Sequence, residues 1–294
     1  MDDATLAALR TAANAVFDIG FATMVGALAV RSLLNEAASD WALRCARRCR
    51  RLFLRACVVA LAASLAWMAV EAITMTDSPP LDALASVGGI VADTLFGRAW
   101  AVATAALAVS LALVATHQRR APPLRALAVA ATIVAGAHAS AGHAGANGFG
   151  VLTLVMGAHL LATALWAGGV VATVLCVLRG DVHAGDAARV AGRLSTLATA
   201  ALAVVVLTGG ASGWHGLGGS AAPLATSAWG LVLDAKLALV GVAIALGGFS
   251  RFAVLPALPL AWPRFARVLR VEAVVLLAAL VVAAWLANGE PPAM

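Results

Sequence analysis

Residues 43–75 read LRCARRCRRLFLRACVVALAASLAWMAVEAITM. Arginines crowd the beginning of this stretch and are absent from the rest, an apolar run of about 20 residues, the length that crosses ~30 Å of hydrocarbon as an α-helix. Basic residues flanking such a run are retained on the cytoplasmic side of a membrane. The stretch therefore predicts a transmembrane helix and its direction together.

The same alternation of apolar run and basic cluster repeats along the chain. Apolar runs lie near 6–34, 52–74, 98–116, 124–142, 149–178, 192–213, 229–250 and 268–287. Every basic residue except Arg10, Arg98 and Lys236 falls in or beside alternate connections, those joining the first span to the second, the third to the fourth, the fifth to the sixth and the seventh to the eighth. An even number of spans fits this pattern. The expectation is an all-α, polytopic membrane helix bundle of about eight transmembrane helices forming a single domain, with N and C termini periplasmic. Composition agrees: the chain is 63% hydrophobic and 12% charged, against roughly 25% charged residues in a soluble domain. The formal charge of +6 is accounted for by topology and calls for no nucleic acid partner. The start, MDDATLAALR, is acidic where a secretory signal is basic, so the first apolar run reads as a retained helix. The Gly-rich, acidic stretch 79–97 reads as an outer-surface loop or a short interfacial helix.

Cys45, Cys49, Cys57 and Cys176 lie in or near the cytoplasmic-side segments, which argues against a disulfide framework. Cys45 and Cys49 share a face of the arginine-rich segment, read as a solvated basic helix near anionic lipid.

Ionisable residues inside spans cost ~2.5–3.5 kcal/mol on insertion scales and mark function by default. Asp18, Glu71, His138, His159, Asp234, Lys236 and Glu272 are the ones. Glu272, about one turn from the cytoplasmic end of its span, reads as a snorkelling structural residue. Asp234 and Lys236 point to different faces of one helix and each needs a partner elsewhere. Lys236, the sole lysine, reads either as half of a buried ion pair with Asp18 or Glu71, or as a charge tuning a cation site. Met68, Glu71 and Met75 fall on one helical stripe near the outer surface, where thioethers would suit Cu(I) or simply fill the core.

Histidines carry more information, because imidazole binds copper and zinc well. His138 and His143 occur in GAHASAGHAG, residues 136–145, at the outer end of the fourth span, and share one ion only if the helix ends between them. His159 lies about ten residues into the fifth span, with Met156, Thr163 and Trp166 on its face. His215, in SGWHG, marks the outer end of the sixth. The sequence has no Gly-rich phosphate loop, no Ser/His/Asp arrangement and no metal-protease helix, so no enzyme activity is expected.

Several segments, in order, resemble the copper resistance D (CopD) family of bacterial inner-membrane proteins. These are GHA at 142–144, GAHLLATALWAGGV at 157–170, ARVAGRLSTLA at 188–198, LTGGASGW at 207–214 and WGLVLDAKLALV at 229–240, followed by Arg251 and the Arg270 to Glu272 stretch. Leu194 stands where the family usually has phenylalanine, Lys236 falls at the family's lysine, and the family-like portion spans about 135–290. The resemblance implies copper, as Cu(I) or Cu(II), moving from periplasm toward cytoplasm at the inner membrane, with a periplasmic copper-binding protein as partner. On that reading His143 and His138 capture the ion, and His159 receives it deeper, helped by Met156, Glu71, Met68 or Met75. Asp18, Lys236 and Asp234 then serve as structural or site-tuning charges. Two alternatives stay open: a haem-binding electron-transfer protein with His138 and His159 or His215 as axial ligands, and an accessory protein for cuproenzyme assembly.

Overall fold

The computed structural model describes residues 2–34, 39–117, 123–142, 150–179, 184–258 and 260–292. Eight helices are long and apolar enough to cross a membrane. They are α1 (Asp3–Leu34), α2 (Asp40–Thr76), α5 (Leu95–Thr116), α6 (Leu124–Ala141), α7 (Val151–Cys176), α8 (Ala184–Gly216), α10 (Ala228–Phe249) and α11 (Trp262–Asn288). Short helices α3 (Pro80–Ala85) and α4 (Val87–Asp93) occupy the 79–97 stretch, and α9 (Ala222–Thr226) precedes α10. The chain is an all-α, multi-pass membrane bundle, consistent with an inner-membrane protein.

Three spans run well past the expected apolar limits at the arginine-rich end. Helix α2 starts at Asp40 rather than near 52, α8 at Ala184 rather than 192, and α11 at Trp262 rather than 268. Arginine is a good helix former, so apolar content marks the lipid-spanning part of each helix and not where its backbone hydrogen bonds stop. Ser39, outside the expected span, opens α2 as its N-cap by accepting from the Ala42 amide, and its hydroxyl donates to Asp186 of α8.

Cross-links at one end show that the arginine-rich connections gather there. Arg48 Nη1 donates to the carbonyls of Cys176 (3.2 Å) and Arg179 (2.6 Å), Arg50 donates to Val114 O at the end of α5, and Arg251 donates to Ser195 and Thr199 of α8. At the opposite end Asn14 of α1 hydrogen-bonds Asn288 of α11. Both termini therefore lie away from the arginines.

Helix α1 is the centre of the bundle, packing on α2 and α7 and touching α6, α8 and α11. Its closest crossing is with α7, where a Cβ added at Gly26 would fall 1.9 Å from the Gly168 carbonyl and one at Gly168 would fall 1.7 Å from Ala22 O. Helices in lipid associate by such backbone approach. Gly168 is thus a contact glycine. Gly169 meets Leu194 and Gly209 meets His159, while Gly210 faces open space.

Two sequence expectations are corrected by packing. Glu272 is not snorkelling near the surface: it is 3% exposed, accepts a hydrogen bond from the Trp166 side chain and lies against Gly247. Ten residues of α11 precede it, which sets it ~15 Å along the helix. Cys45 and Cys49 are 0% and 1% exposed, so their face of α2 packs inward while the arginines take the solvated side.

The α1–α7 crossing supplies a stability test. Gly168→Ala is expected to destabilise the protein by about 1–3 kcal/mol or more, because backbone cannot yield as a flexible side chain can, whereas Gly210→Ala stays within about 0.5 kcal/mol. Thermal unfolding in detergent checks both.

Candidate functional site

The polar residues near the end opposite the arginines form two small networks rather than one shell. The first is built on α1, α2 and α6. His138 stands near the end of α6 with its ring stacked on Phe17 (centroids 4.3 Å apart, planes at 16°) and tilted against Trp67 (5.0 Å). Its Nε2 is 3.9 Å from Asp18 Oδ1, a separation beyond hydrogen-bond length. Two aromatic faces fix the imidazole plane, so the edge bearing Nε2 is turned toward the carboxylate.

Trp67 in turn donates from its indole N–H to Glu71 Oε1 (3.0 Å), and the same oxygen holds Arg10 Nε at 2.8 Å. Arg10 also donates to Thr74. Glu71 is therefore engaged by a cation and an indole from the first two helices. Charge-assisted contacts of this kind in a low-dielectric bundle are costly to break. Met68, on the same stripe, is 2% exposed and packs with Ala72, Ala83 and Ile90, while Met75 is 49% exposed. The Met68, Glu71 and Met75 stripe thus divides between core, ion pair and surface.

The second network surrounds His159 of α7. Its Nδ1 is 3.0 Å from Thr208 Oγ1 on α8, and its ring lies against the Gly209 backbone. Thr208 spends its one hydroxyl proton on the Val204 carbonyl, and a threonine has no second. With that proton on the carbonyl, the Thr208 oxygen accepts, and the arrangement fits the His159 tautomer that carries its proton on Nδ1 and keeps a lone pair on Nε2. Glycine at 209 is required for this placement, since a Cβ there would sit 3.0 Å from His159 Cε1. Thr163, one turn along α7, has a buried hydroxyl without a hydrogen-bond partner among the described residues. Met156 is half-buried on the same side.

Lys236 of α10 links the two networks, because its charge acts on both Asp18 and His159. Asp234, two residues before it, is exposed on the outer face of α10, and His215 is exposed at the end of α8. Helix α6 ends at Ala141 with Gly142 as its cap, the break that His138 and His143 would need in order to share an ion. His143 itself lies outside the described residues. Among the described residues, no three His, Cys, Asp or Glu side chains come together as a group able to hold a metal ion.

These observations place an all-α membrane bundle with paired polar groups and well-oriented histidines beside the comparisons with known proteins. The family profile described as copper resistance protein D-like, N-terminal domain, matches residues 1–151, and that described as copper resistance protein D matches residues 188–286. The chain belongs to the copper resistance protein D family. Among curated proteins and solved structures, nothing matches it. Membership carries a copper-resistance role in the membrane and no catalytic activity, and members of the family act with periplasmic copper proteins. The match extends through α1 and α2, further toward the N terminus than the segments that carry the resemblance in the sequence. The GAHLLATALWAGGV stretch with His159 lies between the two matched regions.

Sequence reasoning singled out His138 and His159 but not the residues that orient them. Phe17, Trp67 and Thr208 come from other helices, and no spacing along the chain reports a contact between helices. Arg10 carries one readable signal: it stands one helical turn or two from the outer end of a span, where its charge demands an acidic partner.

The Arg10–Glu71 pair is open to a double-mutant cycle. Arg10→Met and Glu71→Gln are each expected to lower the melting temperature, since each strands a partner, and the double variant should fall short of their sum by about 0.5–3 kcal/mol. Thermal unfolding of the four proteins in one detergent reads the coupling.

Proposed function

We propose that the protein is a copper-binding inner-membrane protein that takes copper at the periplasmic end of the bundle and passes it toward the cytoplasm. The arrangement of arginines supports that orientation, because basic connections are held on the cytoplasmic side. The observation that carries the reading is the contact between His159 Nδ1 and the Thr208 hydroxyl at 3.0 Å. A neutral imidazole whose Nδ1–H is fixed by a hydrogen bond, leaving the other nitrogen as a free lone pair inside the membrane, is how metal-ligating histidines are prepared.

His138, held between Phe17 and Trp67, is the outer counterpart, and His143, five residues later in the sequence, is its proposed co-ligand. Met156 is the thioether nearest in sequence to His159 and suits Cu(I). Glu71 acts in this reading through structure, holding Arg10 and Trp67 and so the wall against which His138 rests. Lys236 and Asp18 tune the site in opposite directions: the ammonium repels a cation near His159 and the carboxylate offsets it. A periplasmic copper-binding protein is the expected donor at the outer surface.

Copper bound per purified molecule tests the proposal. His159→Ala combined with His143→Ala should remove the bound ion, and Thr208→Val, which leaves both histidines in place, should weaken binding by about 10–100-fold, the usual cost of losing a residue that orients a ligand. Unchanged stoichiometry and affinity in the double histidine variant would exclude this site.

A further inference from the structure

The other end of the bundle holds a second concentration of metal-ligating atoms. Cys49 of α2 and Cys176, the last residue of α7, hydrogen-bond through their sulfurs. Cys45 lies one turn before Cys49 on the same face, and its sulfur meets the Arg48 side chain. All three cysteines are free, with 0–1% exposure. The pairing is not incidental to a loop, because Arg48 donates from Nη1 to the carbonyls of Cys176 and Arg179 and so fixes the end of α7 against α2.

Three further features favour a ligand here over simple packing. A cavity of about 20 Å³ opens beside Cys49, lined also by Arg31, Arg50, Phe53 and Leu127, enough for one water-sized occupant. Two of its lining arginines, Arg31 and Arg50, have a buried Nε–H with no hydrogen-bond partner among the described residues. Buried unsatisfied donors are costly, and donors on two cations that line the same cavity as Cys49 would be relieved by negative charge. Finally, Arg31 and Arg48 lie close enough to act electrostatically on Cys49 and Cys176 respectively, so positive charge is at hand to offset an anionic ligand set.

We propose that Cys49 and Cys176 bind Cu(I) as a two-coordinate thiolate site at the arginine-rich end of the bundle, with Cys45 as an adjacent third sulfur. Soft thiolates select Cu(I), and ligation requires deprotonation. Binding joins Cu⁺ to two sulfurs and releases two protons to solvent, leaving a complex of net charge −1 with no change of oxidation state. Arg31 and Arg48 offset that charge. Two ligands suffice for Cu(I), so the site needs no group of three. The inference rests on the copper reading given above in the choice of metal, and it gives the transported ion a receiving site at the cytoplasmic end. Reduced thiols persist in that compartment.

Cu(I) titration of the full-length detergent-solubilised protein against a chromogenic Cu(I) chelator tests the site. Cys49→Ser combined with Cys176→Ser should lower the stoichiometry by one Cu(I) and remove the thiolate-to-copper charge-transfer absorption. Cys57→Ser, which alters a buried thiol bonded to the Leu107 carbonyl, should change neither. A variant-free measurement guards against misfolding: Cu(I) should protect Cys49 and Cys176 of the unmodified protein from alkylation, as mapped by mass spectrometry. The proposal is overturned if copper leaves both cysteines equally reactive, if X-ray absorption of the Cu(I)-loaded protein shows no sulfur neighbours, or if the two are isolated from membranes as a disulfide. The outer site is tested separately, since His159→Ala with His143→Ala should leave the thiolate absorption intact whether or not those histidines bind copper.

Discussion

The architecture depends on one close contact, the crossing of α1 and α7 at Gly26 and Gly168. No side chain fits between these backbones, with a Cβ at either glycine falling under 2 Å from the opposing chain. In water such a contact would be a minor part of a hydrophobic core, but in lipid apolar burial gives helices little reason to associate and close approach takes its place. The crossing makes α1 the hub. From it Phe17 and Asp18 reach His138, Arg10 and Asn14 reach α2 and α11, and α7 is held where Trp166 meets Glu272.

Around that hub the ionisable groups inside the spans are arranged as partners on different helices. Arg10 and Glu71 join α1 to α2, Asp18 and Lys236 act on each other across α1 and α10, and Glu272 takes the indole proton of α7. The Arg10–Glu71 and Trp166–Glu272 links satisfy groups whose burial alone would cost several kcal/mol, on the order of the insertion penalty for a lone charge. The same links fix which way the helices are turned about their axes, something an apolar surface in lipid cannot do. His138 and His159 are then oriented by neighbours already held in place. Helix α10 buries only Gly230, Leu233 and Ala243, and Leu207 of α8 with Leu231, Leu237 and Val242 of α10 point outward as surface for lipid.

The fold was legible because its two signals, apolar runs and arginine clusters, are one-dimensional and strong. The eight spans read from them all correspond to helices, and the errors fall on the arginine-rich side, where helix continues beyond the apolar stretch. The site was legible only in part. His138 and His159 stand out as polar atoms in lipid-spanning segments, and the Gly142 context marks the end of α6. Glu71 stood out along the chain but its partner did not, because Arg10 lies 61 residues away, and Glu272 was read too near the end of its helix, its partner Trp166 lying 106 residues away. Cys45 and Cys49 show the same limit in another form. Their spacing gives a shared face, yet whether that face meets solvent or the end of α7 is decided by Arg48, whose charge suggests exposure and whose hydrogen bonds tie it inward.

The two ends of the bundle differ in ligand chemistry in a way that bears on direction. Imidazole and a thioether lie toward one end and paired thiols toward the other, and Cu(I) prefers sulfur as anion to nitrogen as neutral base. On the proposed copper reading, a monovalent ion released near His159 would move downhill toward the arginine-rich end on affinity alone. The charges would act in the same sense: the Lys236 charge acts on His159 and opposes a cation there, while the proposed thiolate site has Arg31 and Arg48 near its sulfurs to offset its negative charge. Because each Cu(I) displaces two protons at the cysteines, uptake at that end is coupled to local pH, and a less acidic compartment holds the ion more tightly. Directionality of this kind needs no nucleotide and no large conformational cycle. It follows from placing softer, anionic ligands behind harder, neutral ones along a bundle whose helices are locked together by the Gly26–Gly168 crossing.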